Sequence, residues 1–298
     1  MKVLVTGGLG FVGSNLIKGL NRVVDQIVVV DNETGNISKP SDIVLSHADI
    51  KIINVNITDS SAIDSVIGKL NPDVVVHLAA ISSVADCQKY PNLAKEVNIG
   101  GSSNIFRSAK RHGVKRLIYF SSSAIYGQAP LNIYARTKLS SEKLLTQYKN
   151  DLDITVFRPF NIYGPLQRAG VISKFIKSIF RVEGITKYGN AVRDYIYVED
   201  VCDAVIKSIA SDTTNGIKTM DVASGASTDT GDLISAIESA SSRKFTSVQD
   251  MGFRDFEVKY SMCIDNSAII ELLGRKPISL KEGVKLTVEH YEENNNIS

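Results

Sequence analysis

The sequence predicts an α/β protein: a doubly wound parallel sheet followed by a smaller C-terminal α/β domain. Three observations predict it. Short runs that are apolar throughout alternate with longer amphipathic stretches in the first half, the pattern of parallel strands covered by helices on both faces. A glycine-rich turn sits directly between the first apolar run and the first amphipathic stretch. After Pro159 the rhythm loosens, so a second domain is expected to begin there.

Element by element, Lys2–Thr6 reads as a strand, Phe11–Val23 as a helix and Gln26–Asp31 as a strand of almost pure Ile and Val. Lys51–Val55 and Asp73–Leu78 repeat the strand pattern, with a helix at Ser60–Leu70 between them. Asn92–His112 reads as one long helix, Arg116–Ser121 as a strand, Tyr134–Lys149 as a helix and Ile154–Arg158 as a strand. Right-handed crossovers between such strands give the doubly wound, Rossmann-type arrangement. Beyond it, Val171–Glu183, Glu199–Ala210, Asp229–Ala240 and Asn266–Leu273 read as helices with short strands between, and Glu292–Ser298 as a polar, frayed tail. The expected division is residues 1–158 for a nucleotide domain and residues 159–298 mainly for a substrate domain, some segments of which return to the first.

Composition narrows the function. With 298 residues the chain can bury a substantial core. A net charge of +2, from 34 basic and 32 acidic residues, gives no reason to expect nucleic acid or an anionic membrane as partner. Cys87, Cys202 and Cys263, like His47, His77, His112 and His290, are scattered without metal-ligand or redox spacing. Reduced thiols and no metal site are therefore expected. The apolar run at the start ends at Gly7, too soon for a secretory core, and no stretch approaches a membrane span. A soluble, cytoplasmic protein is the expectation.

Gly7-Gly8-Leu9-Gly10-Phe11-Val12-Gly13 opens the first helix. Gly7 allows the tight turn, Gly10 admits a pyrophosphate close to the backbone, and Gly13 lets helix and strand pack closely. The helix N-terminus presents free N–H groups and a positive dipole end to phosphates. Asp31 ends the second strand, where a carboxylate accepts hydrogen bonds from ribose hydroxyls and repels a 2′-phosphate. The cofactor is therefore expected to be NAD rather than NADP.

Tyr134 and Lys138 stand four residues apart, on one face of a helix. An ammonium there favours the phenolate, so Lys138 is expected to lower the Tyr134 pKa and fit it as a general base. The hydroxyl cluster Ser121-Ser122-Ser123 ends the strand before it, on the side of the sheet where such folds bind ligands.

With these in order, the sequence resembles the extended short-chain dehydrogenase/reductases, in the nucleotide-sugar branch that includes the UDP-glucose 4-epimerases. The resemblance runs over nearly the whole chain. It rests on Thr6–Gly13, Val30-Asp31-Asn32, His77-Leu78-Ala79-Ala80, Phe120–Gly127 and Tyr134–Lys138, and on Arg158–Pro165 and Arg193–Val201. It implies that Phe11, Val12 and Asn32 flank the cofactor, and that Asn56 and Ile57 sit by the adenine, although relatives usually carry Asp where Asn56 stands. Leu78, Ala79, Ala80 and Ser121 would line the cofactor, and Asn98 would support Lys138 through its helix. Counted back from Tyr126, Ser122 matches the catalytic hydroxyl, with Ser123 beside it. Asn161 would contact the sugar or its diphosphate, and Arg193 and Arg254 would clamp the diphosphate, as planar guanidinium forks do.

The implied reaction is oxidation at C4 of a nucleotide-activated sugar, with Tyr134 taking the hydroxyl proton and the cofactor taking hydride. The 4,6-dehydratases and decarboxylases of the branch carry acids just after the catalytic hydroxyl. Here Ser123, Ala124 and Ile125 follow Ser122, which favours 4-epimerisation of a UDP-hexose or UDP-N-acetylhexosamine. The alternatives are a nucleotide-sugar reductase or 4,6-dehydratase and, more remotely, a non-catalytic NAD-binding regulator. The loop Gln128–Ile133 is shorter than in most relatives. Ser261 and Met262 fall where the family tunes room for the C2 substituent. Family members usually pair helices matching Asn92–His112 and Tyr134–Lys149, so a homodimer is expected.

Overall fold

The computed structural model describes residues 1–34, 50–127, 131–212, 216–253, 259–263 and 265–293. The chain divides into two compact units, one of Met1–Arg158 with Cys202–Met220, the other of Pro159–Val201 with the chain from Asp221 onward.

In the first unit, β1 (Lys2–Thr6), α1 (Phe11–Leu20), β2 (Gln26–Asp31), β3 (Ile50–Asn54), α2 (Ser60–Leu70) and β4 (Val74–His77) follow the alternation read from the sequence. Next come α3 (Val84–Lys89), α4 (Pro91–Lys95), a π-helical turn (Glu96–Gly101) and α5 (Ser102–Arg111). β5 (Arg116–Phe120), a 3₁₀ turn (Ser123–Tyr126), α6 (Ile133–Leu144), a further 3₁₀ turn (Leu145–Tyr148) and β6 (Asp153–Pro159) complete the run. The expected single helix Asn92–His112 is thus broken. The i→i+5 turn inserts one residue into the helical repeat, which swings Asn98 into the interior.

Seven strands form one sheet in the order β11-β6-β5-β4-β1-β2-β3, β11 being Gly216–Val222. The pairs from β6 through β3 are all parallel. All of β4 and β5 and four residues of β1 are buried, as a sheet covered on both faces requires. Chain order reverses at β1, between β2 and β4, so ligands are expected at the carboxyl ends of β1 and β4. At the amino ends, the buried Arg116 guanidinium donates to Asp153 from Nε (2.9 Å) and Nη2 (2.6 Å). It also donates to the carbonyls of Ser208 and Ile209, in the last turn of α8 (Val198–Ala210), and of Asp212 just beyond it.

The second unit adds β7 (Asn161–Tyr163), α7 (Val171–Phe180), β8 (Ile185–Lys187), β9 (Val192–Arg193) and β10 (Tyr195–Tyr197) before α8. After β11 come α9 (Thr230–Ser241), β12 (Val248–Asp250), β13 (Tyr260–Ser261), α10 (Ser267–Leu273) and α11 (Leu280–Glu293). β7 pairs with β10, β8 with β12 and β9 with β13, each in parallel. Ile176 and Phe175 of α7, Leu233 and Ile237 of α9, and Val284 and Val288 of α11 fill its core. The sequence reading had no helix at 280–293. No helix among the described residues is long and apolar enough to cross a membrane.

Candidate active site

The glycine loop joins β1 to α1. Gly7 holds φ +69°, and a Cβ there would lie 2.7 Å from the Ala79 backbone N. A Cβ on Gly13 would meet the Gly7 carbonyl at 2.5 Å. Only glycine fits either place. Gly10 occupies the N-cap of α1 with no side-chain cap, and the first-turn N–H groups of Phe11 and Val12 have no intrahelical acceptor. Asp31 stands beside this turn. Its carboxylate accepts from Leu9 N (3.0 Å) and Glu33 N (2.9 Å), leaving lone pairs for ribose hydroxyls. Asn32 takes the Thr34 N–H and hydroxyl.

The neighbouring residues differ in how they present themselves. Asn56 is exposed and its side chain caps a turn by accepting from Thr58 N (3.0 Å). The Ile57 side chain is core, pressed against Gly101, so only its backbone remains for a ligand. Leu78, Ala79 and Ala80 are half-buried beyond β4, and Ala79 N donates to Thr6 Oγ1 (3.3 Å). Ser121 is buried, and its Oγ has no hydrogen-bond partner among the described residues. An orphaned hydroxyl of this kind implies an unfilled role. Cradle, open helix end, ribose acid and orphaned hydroxyl together fit a dinucleotide.

Asn132 caps α6, accepting from Ala135 N at 2.9 Å, which places Tyr134 in the first turn. The Ser122 hydroxyl accepts from Ala124 N (3.1 Å), and as a hydrogen-bonding neighbour it acts to lower the pKa of the Tyr134 phenol. Ser123 is half-buried and opens the 3₁₀ turn. Arg158 fixes this corner: it is ion-paired with Glu142 of α6 and donates to the Tyr126 hydroxyl (2.7 Å).

Lys138 is buried, and its ammonium donates to the Phe120 carbonyl (2.8 Å). The expectation that Lys138 lowers the Tyr134 pKa is not met here. Burial raises Tyr134, against a lowering by the Ser122 hydrogen bond, and Cys87 adds a small upward push. Burial also brings Lys138 down to about 8. In both groups loss of water is the largest influence, and it disfavours the charged form of each. Asn98 braces the helix, donating from Nδ2 to Thr137 Oγ1 (3.0 Å), the residue before Lys138.

In the second unit, Asn161 donates to the Asp194 carbonyl from its backbone (3.1 Å) and side chain (2.8 Å). Arg193 donates to the carbonyls of Val192 (3.0 Å) and Lys259 (3.3 Å). Both line a cavity of about 310 Å³ that also borders Lys187, Tyr188 and the Gly170 cap of α7. Asp194 is buried. It gathers Ser224 N, Ser224 Oγ and Gly225 N at 2.8 Å each, and burial raises its pKa. Ser261 pairs with Arg193 across β13 and β9, and the exposed Met262 Sδ accepts from Ser227 Oγ (3.0 Å). Arg254 lies outside the described residues, as do Gln128–Pro130. The sequence reading passed over Lys187, Tyr188 and Asp194.

The chain is similar to UDP-glucose 4-epimerase of Mycolicibacterium smegmatis, 29% identical over 98% of each chain. Among solved structures it superposes on UDP-glucose 4-epimerase from Thermotoga maritima, determined with UDP-glucose, with TM-score 0.90 and 28% identity over 99% of this chain and 100% of that one. A UDP-N-acetylglucosamine 4-epimerase from Methanobrevibacter ruminantium, in complex with UDP-N-acetylmuramic acid, gives TM-score 0.88 and 30% identity over 98% of each. The family model described as NAD dependent epimerase/dehydratase matches residues 3–222. The cofactor is accordingly NAD, and the chain belongs to the NAD-dependent epimerase/dehydratase family.

Proposed function

We propose that this chain is a nucleotide-sugar 4-epimerase, acting on a UDP-hexose or UDP-N-acetylhexosamine through a transient 4-keto sugar. The observation that carries the reading is Tyr134 in the first turn of α6, with the buried Lys138 one turn on and Ser122, just past the end of β5, beside them, and with Ser123, Ala124 and Ile125 next in sequence. No carboxylate stands there to eliminate water or assist decarboxylation, as the other branches require.

When bound, NAD supplies a two-electron acceptor that later returns what it took. Gly7, Gly10, Gly13 and the first turn of α1 would hold its diphosphate, and Asp31 its ribose. As phenolate, Tyr134 accepts the proton of the sugar's C4 hydroxyl while that carbon is oxidised. Ser122 holds the same oxygen as it becomes a carbonyl. Ser122 acts against the effect of burial on Tyr134, and a bound cationic nicotinamide would favour the phenolate further. After the keto sugar turns its other face, Tyr134 returns the proton to the re-reduced oxygen, so oxidation and reduction cancel over a cycle. The second-unit cavity suits the nucleotide end: Tyr188 offers an aromatic face, and Asn161 and Arg193 bind diphosphate oxygens.

The test is a set of three variants. Tyr134→Phe should abolish turnover while NAD stays bound, and Ser122→Ala should cut kcat by about 10²-fold or more, the scale of positioned acid–base groups. Ser123→Ala should fall far less. Full turnover in Tyr134→Phe would remove the proposed base.

A further inference from the structure

A chain of buried polar groups crosses the first unit from the glycine loop to α6, and the direction of every hydrogen in it is fixed. Ser102 Oγ lies 2.6 Å from the Asn98 carbonyl. A carbonyl only accepts, so Ser102 must donate there. Its oxygen lies 2.9 Å from His77 Nε2, so Nε2 must carry a hydrogen and donate. His77 Nδ1 is then the acceptor, and Thr6 Oγ1, 2.7 Å away, must donate to it. Thr6 Oγ1 in turn accepts from Ala79 N at 3.3 Å. One direction runs from Ala79 through Thr6, His77 and Ser102 to Asn98.

Both ends matter. Ala79 is the residue whose backbone a Cβ on Gly7 would strike, and Thr6 directly precedes Gly7. At the far end, Asn98 sits in the π turn and holds α6 twice. Its Nδ2 donates to Thr137 Oγ1 (3.0 Å), and its carbonyl accepts from Ser141 Oγ (2.7 Å). Thr137 Oγ1 donates back to the Tyr134 carbonyl (2.8 Å). The Asn98 amide also closes a pair with Ile81, accepting from its N–H (2.8 Å) and donating to its carbonyl (3.1 Å). The His77 ring is held between Phe106 and Tyr119, with centroids 6.0 and 5.8 Å away. Burial, reinforced by the Lys138 charge, brings its pKa down to about 3, so it stays neutral and keeps one tautomer.

We propose that His77 is a positioning residue that ties the placement of Tyr134 and Lys138 on α6 to the state of the glycine loop. The inference rests on the reading of Tyr134 and Lys138 as the catalytic pair. A ring that merely filled space would need neither nitrogen. This ring uses both, in one orientation, to join the turn that receives the cofactor diphosphate to the helix that carries the base.

Two measurements on the full chain test it. The first is kinetic, on the nucleotide sugar that the unaltered protein turns over fastest. His77→Phe should lower kcat per folded molecule by about 10- to 100-fold, the cost of a base displaced by up to 1 Å, with KM changed by less than about threefold. His77→Gln, which keeps one donor and one acceptor, should recover most of the loss. The second needs no sugar: amide hydrogen exchange along residues 133–144, with and without ADP, which fills the glycine loop and reaches no catalytic group. ADP should slow exchange in α6 of the unaltered protein and fail to do so in His77→Phe and in Ser102→Ala. Ser102→Ala cuts the chain with a minimal change of volume, should His77→Phe not fold. A lower melting temperature with unaltered kcat and an unaltered exchange response would overturn the proposal. Absence of any turnover in the unaltered protein would count against the epimerase reading, while the exchange measurement would still decide the coupling.

Discussion

Replacing Lys138 by Met should stabilise the nucleotide-free protein at neutral pH, although it removes a residue of the site. Lys138 is 5% exposed, and burial brings its pKa from 10.5 to about 8. At about 1.4 kcal/mol per unit, that depression corresponds to roughly 3 kcal/mol of destabilisation of the folded state while the lysine is charged. Met has a similar length and no charge. Against the gain stands the donor lost by the Phe120 carbonyl, which costs about 1–2 kcal/mol. A net gain of about 1–2 kcal/mol at pH 7 follows from these two terms.

The sign with pH is fixed by the same shift. Between about 8 and 10.5 the unfolded chain holds the Lys138 proton and the folded chain does not, so the stability of the unaltered protein rises with pH through that window. Lys138→Met lacks that rise. The stability advantage of the variant should therefore shrink by about 2 kcal/mol between pH 7 and 9.5. Urea unfolding of both nucleotide-free proteins at the two pH values measures it, and comparing them cancels groups that titrate alike in both. A difference that does not change with pH, or a variant clearly less stable at pH 7, would refute the assignment of burial as the dominant influence on Lys138.

Two further outcomes follow from the geometry. Arg116→Met strands the buried Asp153 carboxylate and three carbonyls at the end of α8, and should destabilise by about 3–5 kcal/mol in urea unfolding. Asp31→Ala removes the acceptor for Leu9 N and the proposed ribose partner; NAD affinity measured by calorimetry should fall by about tenfold or more, and the preference for NAD over NADP should narrow.

What the sequence made legible was local. β1, β2 and α2 fall at the boundaries read from apolar runs and spacing, because a strand buried on both faces leaves an unbroken run of Val and Ile. The glycine loop and the Tyr134–Lys138 spacing are legible for the same reason: their geometry is set within one turn. The π turn at Glu96–Gly101 was hidden, because one inserted residue does not disturb the apolar pattern of a helix enough to show. α11 was hidden because Val284, Val288 and Tyr291 form a narrow stripe among Lys, Glu and Gly. Ser122 ranked ahead of Ser123 by its distance from Tyr126, but its place as N-cap of the turn after β5 was not legible in the sequence. The direction of the Tyr134 and Lys138 pKa shifts depended on burial, which spacing does not report. Asp194 and the His77 chain join residues 30 and 71 positions apart, beyond the reach of any local pattern.

The most direct test of 4-epimerisation is proton NMR of the purified protein with UDP-N-acetylglucosamine and, separately, with UDP-galactose. Each is run first without added cofactor and then with NAD⁺. The account predicts appearance of the C4 epimer from at least one of them, with no net consumption of nicotinamide. A product that has lost water, or conversion that stops when an equivalent amount of nicotinamide cofactor has been consumed, would contradict it.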